Sequence, residues 1–356
     1  MTTPIETPKN PKNPKIIFII PYRNRIQQKH FFNIYIQHIL EDYPENYAKV
    51  FFVEQNEQHA QFNRGAVKNI GFMAMREKYP NDYKNITFVF NDVDTVPYKK
   101  NILNYETTIG TIKHFYGKRF ALGGIFSITG ADFERIGGFP NYWTWGHEDV
   151  VIVKRAEQQK HGIRIDRTNF FELGDPNIIQ LNDEKTRNVD ISTSFVDEDP
   201  LNTMKIIMNL KFSIIDNETF HGNVVYIEHF DLALTKVIHN YVIDLKKGEA
   251  YHRNNFGKAK ENYKKIYGER KKYFINESVE GAREHLIANG YNLSLLTTTE
   301  TKKNNSISRI TNYNYNRVSY PSSSFRFYRK NPNPNPNPNP NPNPNPSTFF
   351  KKPHLN

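Results

Sequence analysis

The chain has 356 residues, a formal net charge of +11 at pH 7, a hydrophobic fraction of 37% and an aromatic fraction of 14%. It is long enough to bury a sizeable core, and it has no cysteine, which excludes disulfides, zinc–thiolate sites and thiol nucleophiles. No apolar run approaches the ~20 residues of a membrane helix, and the Pro-, Asn- and Thr-rich residues 1–14 read as a disordered leader without a signal-peptide core.

Lys15 to Ile20 is the first expected strand, stopped by Pro21. Pro21-Tyr22-Arg23-Asn24-Arg25 follows, with two guanidiniums whose forks match diphosphate oxygens; a solvated surface turn is the alternative. Gln27 to Leu40 has helical apolar spacing, and Val50 to Gln55 is a second strand. Gln61-Phe62-Asn63-Arg64-Gly65 opens a helix over Ala66 to Glu77, where Arg64 adds charge to an anion site favoured by the helix dipole.

Thr87 to Phe90 reads as a strand buried on both faces, followed abruptly by Asn91-Asp92-Val93-Asp94. Acids at i and i+2 project to one side, so Asp92 and Asp94 can address one cation just past a strand end. A solvated turn with a capping acid is the bland alternative. Strand and helix alternate over the first ~95 residues, which argues a parallel nucleotide-binding α/β half.

From Lys99 to Phe120 the pattern is weak. Gly123-Gly124 leads into a strand to Ile128, a place where backbone can approach a ligand closely. Ala131 to Ile136 is a short helix, closed by Gly137-Gly138. Both tryptophans then lie in Trp143-Thr144-Trp145-Gly146-His147-Glu148-Asp149, a composition suited to stacking on and hydrogen bonding to sugars. A core aromatic cluster with acids capping a helix over Val150 to Lys160 is the competing explanation.

Lys211 to Ile215 and Val224 to Ile227 are expected as two late strands, flanked by His221 and His229. Residues 232–296 read as a basic helical extension and 297–356, with the Asn-Pro repeat, as a disordered tail.

Taken in order, Pro21 to Arg25, Phe62-Asn63-Arg64, Phe88 to Asp94, Gly123-Gly124, Gly138 to Asn141 and Trp143 to Asp149 resemble the β-1,4-galactosyltransferase family, glycosyltransferase family 7. The resemblance covers roughly residues 15–230 and implies a GT-A domain over 15–231: a mostly parallel central sheet flanked by helices that binds a nucleotide-sugar. It implies that Pro21, Tyr22, Arg23, Arg25, Phe62 and Arg64 hold the nucleotide, and that Asp92, Val93 and Gly124 contact the donor. It further implies that Asp94 ligates Mn²⁺, Trp145 stacks on sugar, Glu148 holds hydroxyls and Asp149 is the general base.

The implied partners are a UDP-sugar donor, of hexose or N-acetylhexosamine type, and a glycan acceptor. An inverting transfer needs one base opposite the leaving diphosphate and a Lewis acid to stabilise that group.

Three departures stand out. His147-Glu148-Asp149-Val150 replaces the family's Gly-Glu-Asp-Asp. Ile178 to Leu181 occupies the place of the family's Met/His metal loop, leaving His147, Asp183, His221 or His229 as substitutes. Ala121 stands where an aromatic residue is usual, which makes room for an N-acetylated donor. Lacking cysteine and an anchor, the chain is expected to be cytoplasmic, from a microbe or large virus with an AT-rich genome. A catalytically inactive module that binds glycan or nucleotide is the second reading. Nucleic-acid binding driven by charge is the third and weakest, since it leaves the acid and tryptophan clusters unexplained.

Overall fold

The computed structural model describes residues 11–56, 61–143, 147–158, 162–181, 186–190, 200–216, 222–236, 240–244 and 273–296, with backbone alone at 186–190, 236, 240–244 and 295. All of them belong to one compact unit within residues 1–300. The leader up to residue 10, the Lys-rich stretch 257–272 and the Asn-Pro tail lie outside the described residues.

The fold is α/β, with a mostly parallel central sheet flanked by helices, as expected. Its first strands are β1 (Ile16–Tyr22), β2 (Ala48–Gln55) and β3 (Thr87–Asn91), with α1 (Ile26–Leu40) and α2 (Arg64–Lys78) between them. β1 pairs in parallel with both β2 and β3. Every residue of β1 and β3 is buried, as a strand covered on both faces must be. Alternation does the sorting: Ile17 and Ile19 pack with α2, whereas Ile16, Phe18 and Ile20 face the cluster that includes Phe32 and Ile36 of α1. The chain therefore steps from β1 to one side and returns across it to β3. The carboxyl ends of β1 and β3 are the switch point, where open α/β sheets bind ligands.

β1 runs through Pro21 rather than stopping before it, with Pro21 in register with Val53. A proline near a strand end removes one ladder donor without breaking the pairing.

The next elements are β4 (Thr95–Pro97), β5 (Thr111–Gly117), β6 (Ile125–Thr129), α3 (Gly130–Arg135), α4 (Glu148–Glu157), β7 (Arg164–Asp166), β8 (Phe171–Glu172) and β9 (Ile178–Gln180). After β10 (Thr186–Asp190) come β11 (Ile207–Ile215), β12 (Asn223–Leu232), β13 (Leu234–Lys236), β14 (Asn240–Asp244), β15 (Tyr273–Ile275) and α5 (Ala282–Ala288). The main sheet has the order β11-β12-β2-β1-β3-β6-β5-β7, with β8 beside β5. The late hairpin β11–β12 forms as expected and joins β2 in parallel. Described residues of 232–296 include three strands beside α5, so that stretch is not helical throughout.

β6 runs antiparallel to β3. This reversal brings the turn before β6, Gly123-Gly124, level with the acids that end β3. Asp92 N accordingly donates to Gly124 O at 3.0 Å. Gly124 has φ +70°, and a Cβ there would stand 2.5 Å from Tyr116 O, so the turn requires glycine. Among the described residues no helix is long and apolar enough to cross a membrane.

Candidate active site

Asn63 caps α2: its side chain accepts from Ala66 N at 3.0 Å, and its own N–H donates to Gln55 Oε1 at 2.9 Å. That cap fixes Arg64 at the first position of the helix. A Cβ on Gly65 would lie 1.9 Å from Pro140 O, so the Phe139-Pro140-Asn141 segment rests directly on this first turn. The segment is held by buried polar bonds: Asn69 Nδ2 donates to Phe139 O (2.8 Å) and to Asn141 Oδ1 (3.0 Å), and Asn141 Nδ2 donates to Asn202 Oδ1 (2.9 Å). Arg155 reaches from α4 to the carbonyls of Gly138 and Asn202. These bonds set the approach of α4, whose backbone is tied further by Leu122 N donating to Asp149 O at 2.8 Å.

The outcome is an ion cluster at the switch point. Arg64 Nη1 donates to Glu148 Oε1 (2.5 Å) and Asp149 Oδ2 (2.8 Å), and Nη2 donates to Asp92 Oδ1 (2.5 Å). The fork thus joins three acids supplied by two elements, as a planar five-donor group allows. Lys68, one turn further along α2, sits 3.3 Å from Asp149 Oδ1 and 3.9 Å from Asp92 Oδ1. Beside this cluster Arg25 Nη1 donates to Asp94 Oδ2 at 2.7 Å.

The neighbouring acids of the β3 turn are pushed apart. Burial raises Asp92, but Arg64 and then Lys68 outweigh it and hold the carboxyl below its usual range. Burial and the adjacent Asp92 charge raise Asp94 against the opposing pull of Arg25. Glu148 is raised by burial and by Asp149, with Arg64 and Lys68 opposing. Burial works against the Arg64 charge, but Asp149, Asp92 and Glu148 together raise its pKa well above the usual arginine value. The opposite directions follow from whether the nearby cations outweigh burial and the neighbouring acid at each carboxyl.

Of the other expected site residues, Pro21 and Tyr22 are buried at the end of β1, and Lys29 Nζ lies 4.7 Å from the Tyr22 ring centroid. Arg23 is half-buried in the following turn, and Phe62 packs against the α2-side core. Val93 is 5% exposed and belongs to the α1-side core. Trp143 stacks on Phe230 at 5.2 Å, the packing role that competed with sugar binding. His147 stands before α4 with φ +66°. His229 lies on β12, 3.2 Å from Asp231 Oδ2. Trp145, Asp183 and His221 lie outside the described residues.

α4 begins at Glu148, so both acids lie within its first turn, where the dipole favours negative charge. Lys68 belongs to none of the motifs that the sequence displays. Its signal was a cation four residues after Arg64, on the same face of an otherwise apolar helical stripe.

β9 pairs antiparallel with β4, and Leu181 N donates to Asp94 O at 2.7 Å. Ile178 to Leu181 therefore adjoins Asp94, and its one polar side chain, Gln180, accepts from Tyr116 OH at 2.7 Å. Among the described residues no three His, Asp or Glu side chains converge as a metal site. Among the described residues the carboxylate nearest β9 is that of Asp94, which is paired with Arg25, and β9 itself carries no imidazole or thioether; residues 182–185, with Asp183, lie outside the described residues.

A family model described as the N-terminal region of glycosyl transferase group 7 matches residues 5–106, and one described as the N-terminal domain of galactosyltransferase matches residues 103–180. The chain is 31% identical over 173 residues to β-1,4-galactosyltransferase 1 of Mus musculus, covering 46% of this chain and 41% of that protein. It is 32% identical over 165 residues to β-1,4-galactosyltransferase 2 of Homo sapiens, covering 44% and 42% respectively. It thus spans about two-fifths of the length of these curated relatives. A crystal structure of Drosophila β-1,4-galactosyltransferase 7 in complex with manganese, UDP-Gal and xylobiose aligns at 19% identity and a TM-score of 0.48, covering 62% of this chain and 94% of that one.

Proposed function

From the membership of this chain in glycosyltransferase family 7, carried by residues 5–180, we propose that it is an inverting glycosyltransferase. It transfers a hexose or N-acetylhexosamine from a UDP-sugar to a hydroxyl of a glycan acceptor. The observation that carries this reading is the Arg64 fork, which ties Asp92, just past the end of β3, to Glu148 and Asp149 in the first turn of α4.

In this mechanism Asp149 takes the proton from the acceptor hydroxyl, and the acceptor oxygen forms a bond to the anomeric carbon. The bond from that carbon to the diphosphate oxygen breaks on the opposite face, and its electron pair leaves with UDP. Glu148 holds a sugar hydroxyl. Arg25 and Arg23 face the diphosphate and carry its developing charge, while Pro21, Tyr22 and Phe62 bound the nucleotide and Asp92, Val93 and Gly124 the donor sugar. Trp145 is the expected stacking face for sugar. A divalent ion held at Asp94 would stabilise the departing diphosphate, and no step above is routed through it.

A catalytically inactive module that binds nucleotide or glycan is the second reading, favoured by the missing metal-ligand side chains on β9. A panel of UDP-sugars incubated with the full chain and oligosaccharide acceptors, with Mn²⁺ and with EDTA, separates the two. Turnover that Asp149→Asn abolishes while UDP still binds supports transfer. UDP binding without turnover of any donor supports the second reading.

A further inference from the structure

A lysine sealed inside a protein requires partners that match its charge. The Lys68 side chain is 1% exposed. Its Nζ lies 4.6 Å from the centroid of the Phe139 ring and ends 3.3 Å from Asp149 Oδ1. Arg64 occupies the other oxygen, Oδ2, at 2.8 Å. One hydrogen bond leaves a carboxylate free to turn about its terminal torsion, which is broad and two-fold. A second cation on the second oxygen fixes the plane. Turning away would leave the buried ammonium with Asp92 alone, at the longer distance of 3.9 Å.

The other charged groups facing Lys68 are Asp92, at 3.9 Å, and Glu148, whose pKa it opposes raising. Arg64 is divided among three acids, whereas the hydrogen bond of Lys68 goes to Asp149.

We propose that Lys68 is a positioning residue for the transfer reaction, holding the Asp149 carboxylate in the plane from which it takes the acceptor proton; this rests on the transferase reading above. Lys68 acts through Asp149 and touches neither sugar nor nucleotide. Its contribution therefore falls on turnover and not on donor affinity.

Lys68→Met keeps the apolar stem and removes the charge, while Lys68→Arg keeps the charge. With the full chain and a UDP-sugar that the wild type consumes, K68M lowers kcat by about 10- to 100-fold and leaves donor KM within about threefold. K68R recovers about tenfold over K68M. A K68M with wild-type kcat overturns the proposal, as does equal impairment of K68M and K68R, which would reduce the residue to packing. If K68M shows no cooperative unfolding transition, Lys68→Gln replaces it, read by the same outcomes. A wild type that consumes no UDP-sugar removes the transferase reading and this role together, whereas an unaffected K68M in an active background removes the role alone.

Discussion

A methyl group on Gly123 would stand 2.6 Å from Asp149 Oδ2 and 3.2 Å from its Cγ. The glycine turn before β6 is therefore the wall against which the candidate base rests, and no other residue type leaves Asp149 where it is. Gly123→Ala is expected to displace the carboxylate and to lower transfer by about 10- to 100-fold, since an error of about 1 Å at a reacting group has that scale of effect. Initial rates beside melting curves check it. A G123A variant as active as the wild type would show that the contact has no bearing on turnover.

Arg64 holds three acids with one guanidinium. Arg64→Met takes the guanidinium from all three acids and leaves Asp149 and Asp92 with only the Lys68 ion pair, so it is expected to destabilise the fold by about 3 kcal/mol. Arg64→Lys loses the fork but keeps the charge, so its loss is smaller. Urea unfolding at neutral pH measures both, and equal stabilities for R64M and wild type would refute the pairing.

His114 is fully buried; Arg167 Nε donates to its Nδ1, and its Nε2 faces the carbonyls of Tyr116 and Gly123. Burial, reinforced by Arg167, lowers its pKa from 6.5 to about 4. Native His114 thus stays neutral where the unfolded chain takes up a proton. Its contribution is fully present above pH 6.5 and is lost progressively as pH falls toward about 4. From pH 7 to pH 5 this group should remove about 2 kcal/mol of stability. His114→Gln, which cannot titrate, should show a pH dependence weaker by that amount in denaturant midpoints; an unchanged slope would contradict it.

Arg25 and Asp94 are paired at 2.7 Å. If Arg25 carries diphosphate charge, Arg25→Met weakens UDP binding by about tenfold or more, the scale of a charged hydrogen bond. UDP affinity should also change less than about threefold between Mn²⁺ and EDTA. Calorimetric titration decides. A large gain from Mn²⁺ that Asp94→Ala abolishes would place a metal there after all.

Much of the fold was legible because β1, β2 and β3 are unbroken apolar runs, and α1 and α2 keep helical spacing. β5 is hard to read because Thr111 to Gly117 interleaves Lys113 and His114 with apolar residues, and His114 is buried against two carbonyls and Arg167 that the sequence does not place beside it. The β4–β9 pairing joins residues more than 80 apart, with Thr95 opposite Gln180, and three-residue strands carry no periodic signal. In the site, the acids and arginines announced themselves by position after strands. Lys68 did not, since hydropathy reads lysine as surface, and its burial rests on Asp149, Asp92 and Phe139, which are distant in sequence. Gly123-Gly124 signalled a close approach, and within the chain Gly123 closely approaches the side chain of Asp149.

The near-complete enclosure of Lys68 also divides how the molecule answers ionic strength. Mobile ions screen exposed charges beyond about 8 Å at physiological concentration, yet they do not penetrate a dry interior. Added salt should therefore mute the long-range pull that a +11 chain exerts on anions, slowing capture of a nucleotide. The network beneath would keep its geometry. Encounter and turnover are thus separable with nothing more than sodium chloride.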